Sequence, residues 1–393
     1  MEKIRAVNLT KIFGSDPKLA LALLSAGTGK DEIFNRTGQA VALSNVSFEV
    51  QAGEILVVMG LSGSGKSTLI RCINRLIEPT HGQVFIDGED ITNLAHHALL
   101  ELRRQKFGMV FQHFALFPHR NLLHNVEFGL EIQHKDKAFR RDKARAALKS
   151  VGLDGWEEAM PHQLSGGMQQ RVGLARALAV DPDILLMDEA FSALDPLIRG
   201  DMQNELISLQ NRMKKTILFI THNLDEALKM GNRVVLMKNG QIVQVGTPEE
   251  IVTTPADDYV KRFVENVDKS KVLTAQSVLI PAGVVAYLDD TPRAVLEKMQ
   301  SENLSDMLII QRDNTLQGIV RQKSVEAAVS RGDKTITSMI DSDVPTVISS
   351  EPLTTLISIL AKWPWQLPVV DEEYKLQGVV INTGILAALA NEP

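Results

Sequence analysis

The 393-residue chain has a single cysteine, Cys72, which excludes an intrachain disulfide and fits a reducing compartment. It has no surplus of positive charge: 42 Lys/Arg stand against 48 Asp/Glu, a formal net charge of −6. That balance excludes a general basic footprint for nucleic acid. No stretch approaches the ~20 apolar residues that would span a bilayer. The opening MEKIRAVNLTKIFG also lacks the apolar run of a signal peptide. If such a chain works at a membrane, it does so through other subunits. What is present is an ordinary globular composition, 44% hydrophobic and 23% charged, with length for about two domains. The charge is uneven, because residues 271–393 hold ten Lys/Arg and fifteen Asp/Glu, leaving the first 270 residues close to neutral.

EILVVMG (54–60) is a β-branched apolar run ending in glycine, as in a buried parallel strand, and KSTLIRCINRLI (66–77) follows with helical spacing. DILLMDE (183–189) and TILFITH (216–222) repeat the strand pattern. RVVLMKNGQIVQVG (233–246) reads as a hairpin turning at Asn239-Gly240. Strands alternating with helices predict an α/β core around a mostly parallel sheet. Residues 113–163 read as a helical subdomain inserted into it. After about residue 265 an internal repeat appears: LQGIV at 316–320 returns as LQGVV at 376–380, an offset of 60. Pro292, Leu296, Met299 and Ile309-Ile310 match Pro352, Leu356, Ile359 and Val369-Val370 at the same offset. Each copy reads helix, strand, turn, strand, helix. Half-size units of this kind cannot bury their faces alone and should pack on each other. The expected division is a domain over 1–265 and a smaller α+β domain over 275–393, with repeats at about 280–335 and 340–393.

GLSGSGKS (60–67) satisfies G-x-x-x-x-G-K-[ST] between a predicted strand and a predicted helix, the context of a P-loop. Gly60, Leu61, Ser62, Gly63, Ser64 and Gly65 would curl so that backbone N–H groups face a phosphate, with Lys66, Ser67 and Thr68 opening the helix behind them. The helix N-terminus adds about 0.3–2 kcal/mol for an anion. Lys66 would reach the β/γ-phosphates, and the Ser67 hydroxyl would face Mg²⁺. Asp188 and Glu189 end a buried strand, Asp188 placed to hold Mg²⁺ and Glu189 to polarise the attacking water. His222 ends the next strand, where its imidazole would contact the γ-phosphate. Cys72, six residues after Lys66, reads as a buried structural thiol.

These elements say NTPase without saying which kind. LSGGMQQ (164–170) ends nineteen residues before Glu189 and continues into RVGLARAL as an amphipathic helix. Here the chain resembles the ATP-binding subunits of ABC transporters, whose signature is LSGGQ-like; Met168 stands where Gln is commonest. Gln112 in MVFQHFALFP resembles the Q-loop glutamine, which the resemblance groups with Ser67 and Asp188 around the metal and with Lys66, Glu189 and His222 in catalysis. Ser192-Ala193-Leu194-Asp195 resembles the D-loop, and Phe13 in TKIFG the aromatic that stacks on adenine. The resemblance implies a P-loop ABC-type fold, ATP and Mg²⁺ as ligands, and a head-to-tail homodimer. In that dimer Ser165, Gly166 and Gly167 close over the nucleotide held by the partner.

A helical insert at 15–38, with RLIEPTHGQVFIDGEDI, VFQHFALFPHRNLLHNVEFG and ILLMDEAFSALDPLIR, resembles the ATPase of glycine betaine/proline (quaternary amine) uptake systems. The tail repeat is similar to a tandem CBS module, which those ATPases also carry. The resemblance implies a multi-span permease, an extracytoplasmic solute-binding protein and work at the cytoplasmic face of the plasma membrane. It also implies that residues 113–125 receive the permease, with Phe114, Phe117 and Pro118 as apolar contacts; the same aromatics would serve as subdomain core. The tail departs from the adenosyl-binding pattern G-h-h-T-x-x-D. GIVRQKS (318–324) and GVVINTG (378–384) lack the ribose-binding carboxylate, so its ligand stays open. Its small basic spot is Arg321 and Lys323. A soluble ABC ATPase acting on DNA or ribosomes, or a CBS-regulated nucleotide sensor, are the competing readings. The first usually carries tandem nucleotide domains or a long coiled coil, and the second has no need of Glu189.

Overall fold

The computed structural model describes residues 1–112, 114–363 and 365–390. His113, where the expected helical stretch begins, and the last three residues of the second repeat lie outside that set. Two compact units divide the chain, Met1–Asn266 and Val267–Pro393.

The first unit begins with β1 (Glu2–Phe13), paired antiparallel to β2 (Ala40–Gln51). Between them lie α1 (Pro17–Ser25), capped by the Asp16 carboxylate, and α2 (Lys30–Thr37), which Gly38 ends in the left-handed region at φ +67°. Ala20 and Ile33 bury these helices against Ile12 and Val41 at the end of the β1–β2 pair. Then follow β3 (Ile55–Met59), β4 (His81–Ile86), β5 (Glu89–Asp90), β6 (Phe107–Val110), β7 (Ile184–Asp188), β8 (Thr216–Thr221), β9 (Arg233–Lys238) and β10 (Gln241–Gly246). A second sheet of order β10-β9-β3-β8-β7-β6 is parallel except for β10. Every residue of β3, β7 and β8 is buried, as a strand covered on both faces requires. The β9–β10 turn falls at Asn239-Gly240, both at positive φ, the geometry that matches strand twist.

Helix α3 (Lys66–Ile73) buries Leu69, Ile70, Cys72 and Ile73 but is shorter than the 66–77 run suggested. It stops because Asn74 caps it and Arg75 turns to φ +53°, its guanidinium taken by the carbonyls of Ile91 and Leu94. Next come α4 (His96–Lys106), α5 (Leu122–Val126), α6 (Phe128–Ile132), α7 (Lys137–Ser150) and α8 (Gly166–Ala179). α8 is not the amphipathic helix its spacing suggested. It packs on α5, α6, α7 and β6, and even Gln170 is fully buried. The residues after Asp188 lead into α9 (Pro196–Met213) and α10 (Leu224–Met230). Four charges far apart in sequence tie the outer end of this unit. Asp183 and Asp87 each pair with Lys3 and Lys106, at 2.7–2.9 Å.

In the second unit two segments share one element order. Helix Pro292–Ser301, strands Asp306–Ile310 and Leu316–Arg321 and helix Gln322–Arg331 are followed by helix Leu353–Leu360, strands Leu367–Val370 and Leu376–Val380 and helix Asn382–Ala390. Each pair of strands is antiparallel. Leu308, Ile310, Leu316 and Ile319 of the first segment share a buried cluster with Val370 and Val379 of the second. A half-unit whose sheet face is apolar thus finds its cover in the other half.

Candidate functional site

The carboxyl ends of β3, β7 and β8 lie side by side, the position where open parallel sheets bind ligands. After β3 the chain enters GLSGSGKST with Gly60, Gly63 and Gly65 at φ +152°, +78° and +99°. Any side chain at Gly60 would strike the Met237 carbonyl, and a Cβ at Gly65 would sit 2.6 Å from the Ala42 carbonyl. Leu61, Ser62 and Gly63 are exposed while Ser64 and Lys66 are buried, so the loop arches over its own lysine. Lys66 Nζ donates to the carbonyls of Gly60 (2.8 Å) and Leu61 (3.0 Å). Burial pushes its pKa down, and the Glu189 and Asp188 carboxylates oppose that. Ser64 Oγ is buried without a hydrogen-bond partner. Thr68 lies half-buried behind Ser67 on α3.

Ser67 Oγ donates to Asp188 Oδ1 at 2.9 Å, and Arg71 Nη2 stands 3.4 Å from Asp188 Oδ2. The Glu189 N–H donates to Ile220 O at 3.0 Å, so this residue extends the β7–β8 contact while turning to φ +48°. Its Oε2 accepts from Gln112 Nε2 at 3.3 Å and lies 3.3 Å from His222 Nδ1. Residues drawn from three strand ends and the turn after β6 thereby meet around one point. The hydroxyl of Ser67, the carboxylate of Asp188 and the amide of Gln112 are hard oxygen donors that fit Mg²⁺. Among the described residues no group of three or more His, Cys, Asp or Glu could hold a metal alone. That fits an ion bound by one carboxylate together with substrate phosphates.

Phe13 ends β1 with 42% of its surface exposed and Lys11 Nζ 5.0 Å from its ring centre. Asp195 is exposed at the head of α9, its carbonyl accepting from the Arg199 N–H at 2.8 Å. Ser165 caps α8, its Oγ accepting from the Met168 N–H at 3.3 Å. Ser165 and Gly166 are exposed, while Gly167 is buried against Ile198. Among the described residues no hydrogen bond joins this stretch to the P-loop. Phe117 stacks edge-on against Phe128 at 4.6 Å, which makes it part of the helical packing, whereas Pro118 is exposed. The Phe114 and Ala115 carbonyls are pinned by Arg176.

Sequence reasoning missed three partners. Arg71 beside Asp188 sits one turn along α3 from Ser67, a spacing the sequence did contain. Buried Glu226 takes the Thr221 hydroxyl at 2.5 Å and an amide hydrogen bond from Gln203 at 3.3 Å. Arg199 Nε lies 3.7 Å from Glu226, and Arg199 Nη2 donates to Leu194 O. Nothing in the sequence places those two together. In the tail, Arg321 pairs with Asp341 at 3.2 Å and lies over the Trp365 ring, so the arginine of the basic spot there is already engaged.

A parallel sheet whose strand ends carry a phosphate cradle, a magnesium-competent carboxylate and a second, exposed Ser/Gly helix start defines an ABC-type ATPase cassette. A family model described as ABC transporter matches residues 43–192, and one described as CBS domain matches 336–391. The chain is 50% identical to the glycine betaine transport ATP-binding protein OpuAA of Bacillus subtilis, over 99% of this chain and 92% of that one. It is 49% identical to the glycine betaine/carnitine transport ATP-binding protein GbuA of Listeria monocytogenes, over 99% and 98%. The glycine betaine/proline betaine transport protein ProV of Salmonella typhimurium matches at 46%, over 99% and 98%. Among solved structures, the dimeric ATP-binding cassette MJ0796 in a post-hydrolysis state with ADP and Pi is 33% identical. It covers 62% of this chain and 98% of its own, at a TM-score of 0.53. The chain belongs to the family of ABC transporter ATP-binding proteins that includes these glycine betaine transport subunits, and it is an ATP-hydrolysing transport subunit.

Proposed function

We propose that this chain drives uptake of a quaternary amine compatible solute, such as glycine betaine, proline betaine or choline. In this reading it works as a homodimer at the cytoplasmic face of the membrane, bound to a permease that an extracytoplasmic binding protein supplies. The observation that carries the reading is the near full-length identity to several glycine betaine transport subunits, spanning the 15–38 insert and the tail as well as the cassette. No described helix is long and apolar enough to cross a membrane, and in this reading the path for the solute belongs to the permease.

In the proposed cycle the P-loop N–H groups from Gly60 to Thr68 and the Lys66 ammonium hold the triphosphate, and Phe13 stacks on the base. Ser67, Asp188 and Gln112 would hold Mg²⁺, which when bound offsets negative charge on the phosphates. Glu189 accepts a proton from the attacking water, and His222, 3.3 Å away, orients that carboxylate and senses the terminal phosphate. Ser165, Gly166 and Gly167 of one chain close on the nucleotide of the other, with Asp195 near the seam; the dimeric structural relative supports this. Opening after hydrolysis resets the transporter. Residues 275–393 act as a tandem CBS module.

The test is reconstitution of the chain with its permease and binding protein in liposomes. Uptake of labelled glycine betaine should require internal ATP, and excess proline betaine or choline should compete. ATP hydrolysis that no quaternary amine stimulates, alongside absent uptake, would overturn the reading.

A further inference from the structure

Helices α1 and α2 bury Ala20 and Ile33, and Leu21, Leu23 and Leu24 pack half-buried against the same cluster. Their position is more informative. A cavity of about 610 Å³ lies between α2 and the start of β2, bordered by Gly29, Lys30, Val41, Ser44, Asn239 and P-loop Gly63. That volume is in the range of small-ligand pockets. Lys30 and Asp31 are its charged lining residues.

The Lys30 ammonium is packed inward. A methyl group built on Gly240 would collide with Lys30 Nζ, and Gly240 Cα is 3.5 Å from where a Cβ on Gly65 would lie. Gly240 N–H also donates to Ser64 O at 2.9 Å, so the hairpin tip that Lys30 touches is bonded to the phosphate loop itself. Burial pushes the Lys30 pKa down, opposed only by neighbouring Asp31. Among the described residues Lys30 Nζ makes no hydrogen bond or ion pair. A half-buried cation without a partner is costly unless a ligand supplies one, and the loop beside it is built for phosphate.

We propose that Lys30 is a nucleotide ligand: the insert walls the outer side of the ATP pocket, and its ammonium binds the phosphate chain at the ribose end. Lys66 holds the inner end of the same chain, so two lysines bracket it. This rests on residues 60–68 being the ATP cradle. A group at the ribose end meets ATP and ADP alike, and does not meet adenosine.

Binding of ATP, ADP and adenosine by the full chain is measured for Lys30→Ala, Lys30→Arg and Lys66→Ala, with the melting temperature of each nucleotide-free protein. Loss of a charge-assisted contact predicts about tenfold weaker binding of both ATP and ADP by Lys30→Ala. Adenosine binding should not change, Lys30→Arg should recover most of the affinity, and the nucleotide-free melting temperature should stay level or rise. ATP and ADP affinities within twofold of the parent for Lys30→Ala, with Lys66→Ala impaired, would sink the Lys30 assignment alone. Equal weakening for adenosine with a lowered melting temperature would mark Lys30 as structural and also end it. Normal binding by Lys66→Ala would instead overturn the placement of the ATP cradle.

Discussion

Glu189→Gln isolates one proton acceptor and leaves the shape of the site in place. The parent carboxylate accepts from Gln112 Nε2 and approaches His222 Nδ1, each at 3.3 Å, while its backbone N–H is held by Ile220 O. Glutamine keeps the length, and its one oxygen, placed where Oε2 lies, still accepts from Gln112 Nε2 and from an Nδ1-protonated His222, so the φ +48° turn and the strand end have no reason to shift. ATP affinity should therefore stay near the parental value. Hydrolysis should fall by about 10²–10⁴, the usual contribution of a general base, which is about 2.7–5.4 kcal/mol of barrier. Because ATP then persists between two chains, an ATP-dependent dimer should accumulate on size exclusion. The assay is phosphate release at saturating ATP beside nucleotide binding measured directly. A variant that hydrolyses ATP within a few-fold of the parent refutes the assignment of Glu189 as base, whatever its oligomeric state.

Three further outcomes follow from the same geometry. Mixing Ser165→Ala chains with Lys66→Ala chains should restore hydrolysis, since each heterodimer has one site with both groups intact; random pairing yields about a quarter of the parental sites. Activity no higher than either variant alone would exclude sharing between chains. Hydrogen bonds from Lys106 and Lys3 hold the Asp183 pKa down to about 2, so its folded form releases its proton more readily than the unfolded chain. Its stabilisation is present above about pH 4 and lost as pH falls toward 2. Asp183→Asn should lower the unfolding midpoint at neutral pH and flatten its acid slope, and parallel slopes would disprove the pairing. Cys72 is fully buried and desolvation pushes its thiol up to about 12, so an aromatic disulfide reagent should label it only in denaturant; rapid native labelling would contradict the burial.

Much of the cassette was legible because its chemistry is local. The spacing from Gly60 to Ser67 needs no tertiary knowledge, and DILLMDE shows both its burial and the carboxylates at its end. Where a contact is made by distant residues, the sequence was silent. Lys3, Asp87, Lys106 and Asp183 carry no pattern that pairs them, yet they form one cluster. Nothing in the sequence marks Glu226 as buried, yet it is 4% exposed beneath Thr221. The end of α3 at Ile73 was misread because apolar spacing continues to Ile77 while Arg75 leaves the helical region. The α8 misreading has the same root. Periodicity reports one covered face, and this helix is covered on several by neighbours the sequence does not announce.

Ser165 itself argues for a second chain. Within one protomer its hydroxyl only caps α8, and both it and Gly166 face solvent. The outer P-loop is similarly open, with Leu61 59% exposed, and beyond Asp195 Leu197 is 85% exposed beside half-exposed Ile198. Polar groups suited to phosphate and large apolar side chains thus share exposed stretches of this unit. Exposed apolar groups of this kind gain from burial, while N–H groups at two helix starts gain from an anion. A nucleotide held between two copies meets both needs at once, and departure of the cleaved phosphate removes the charge that attracts the second helix start. On this argument the affinity of two chains for each other depends on the state of the phosphate.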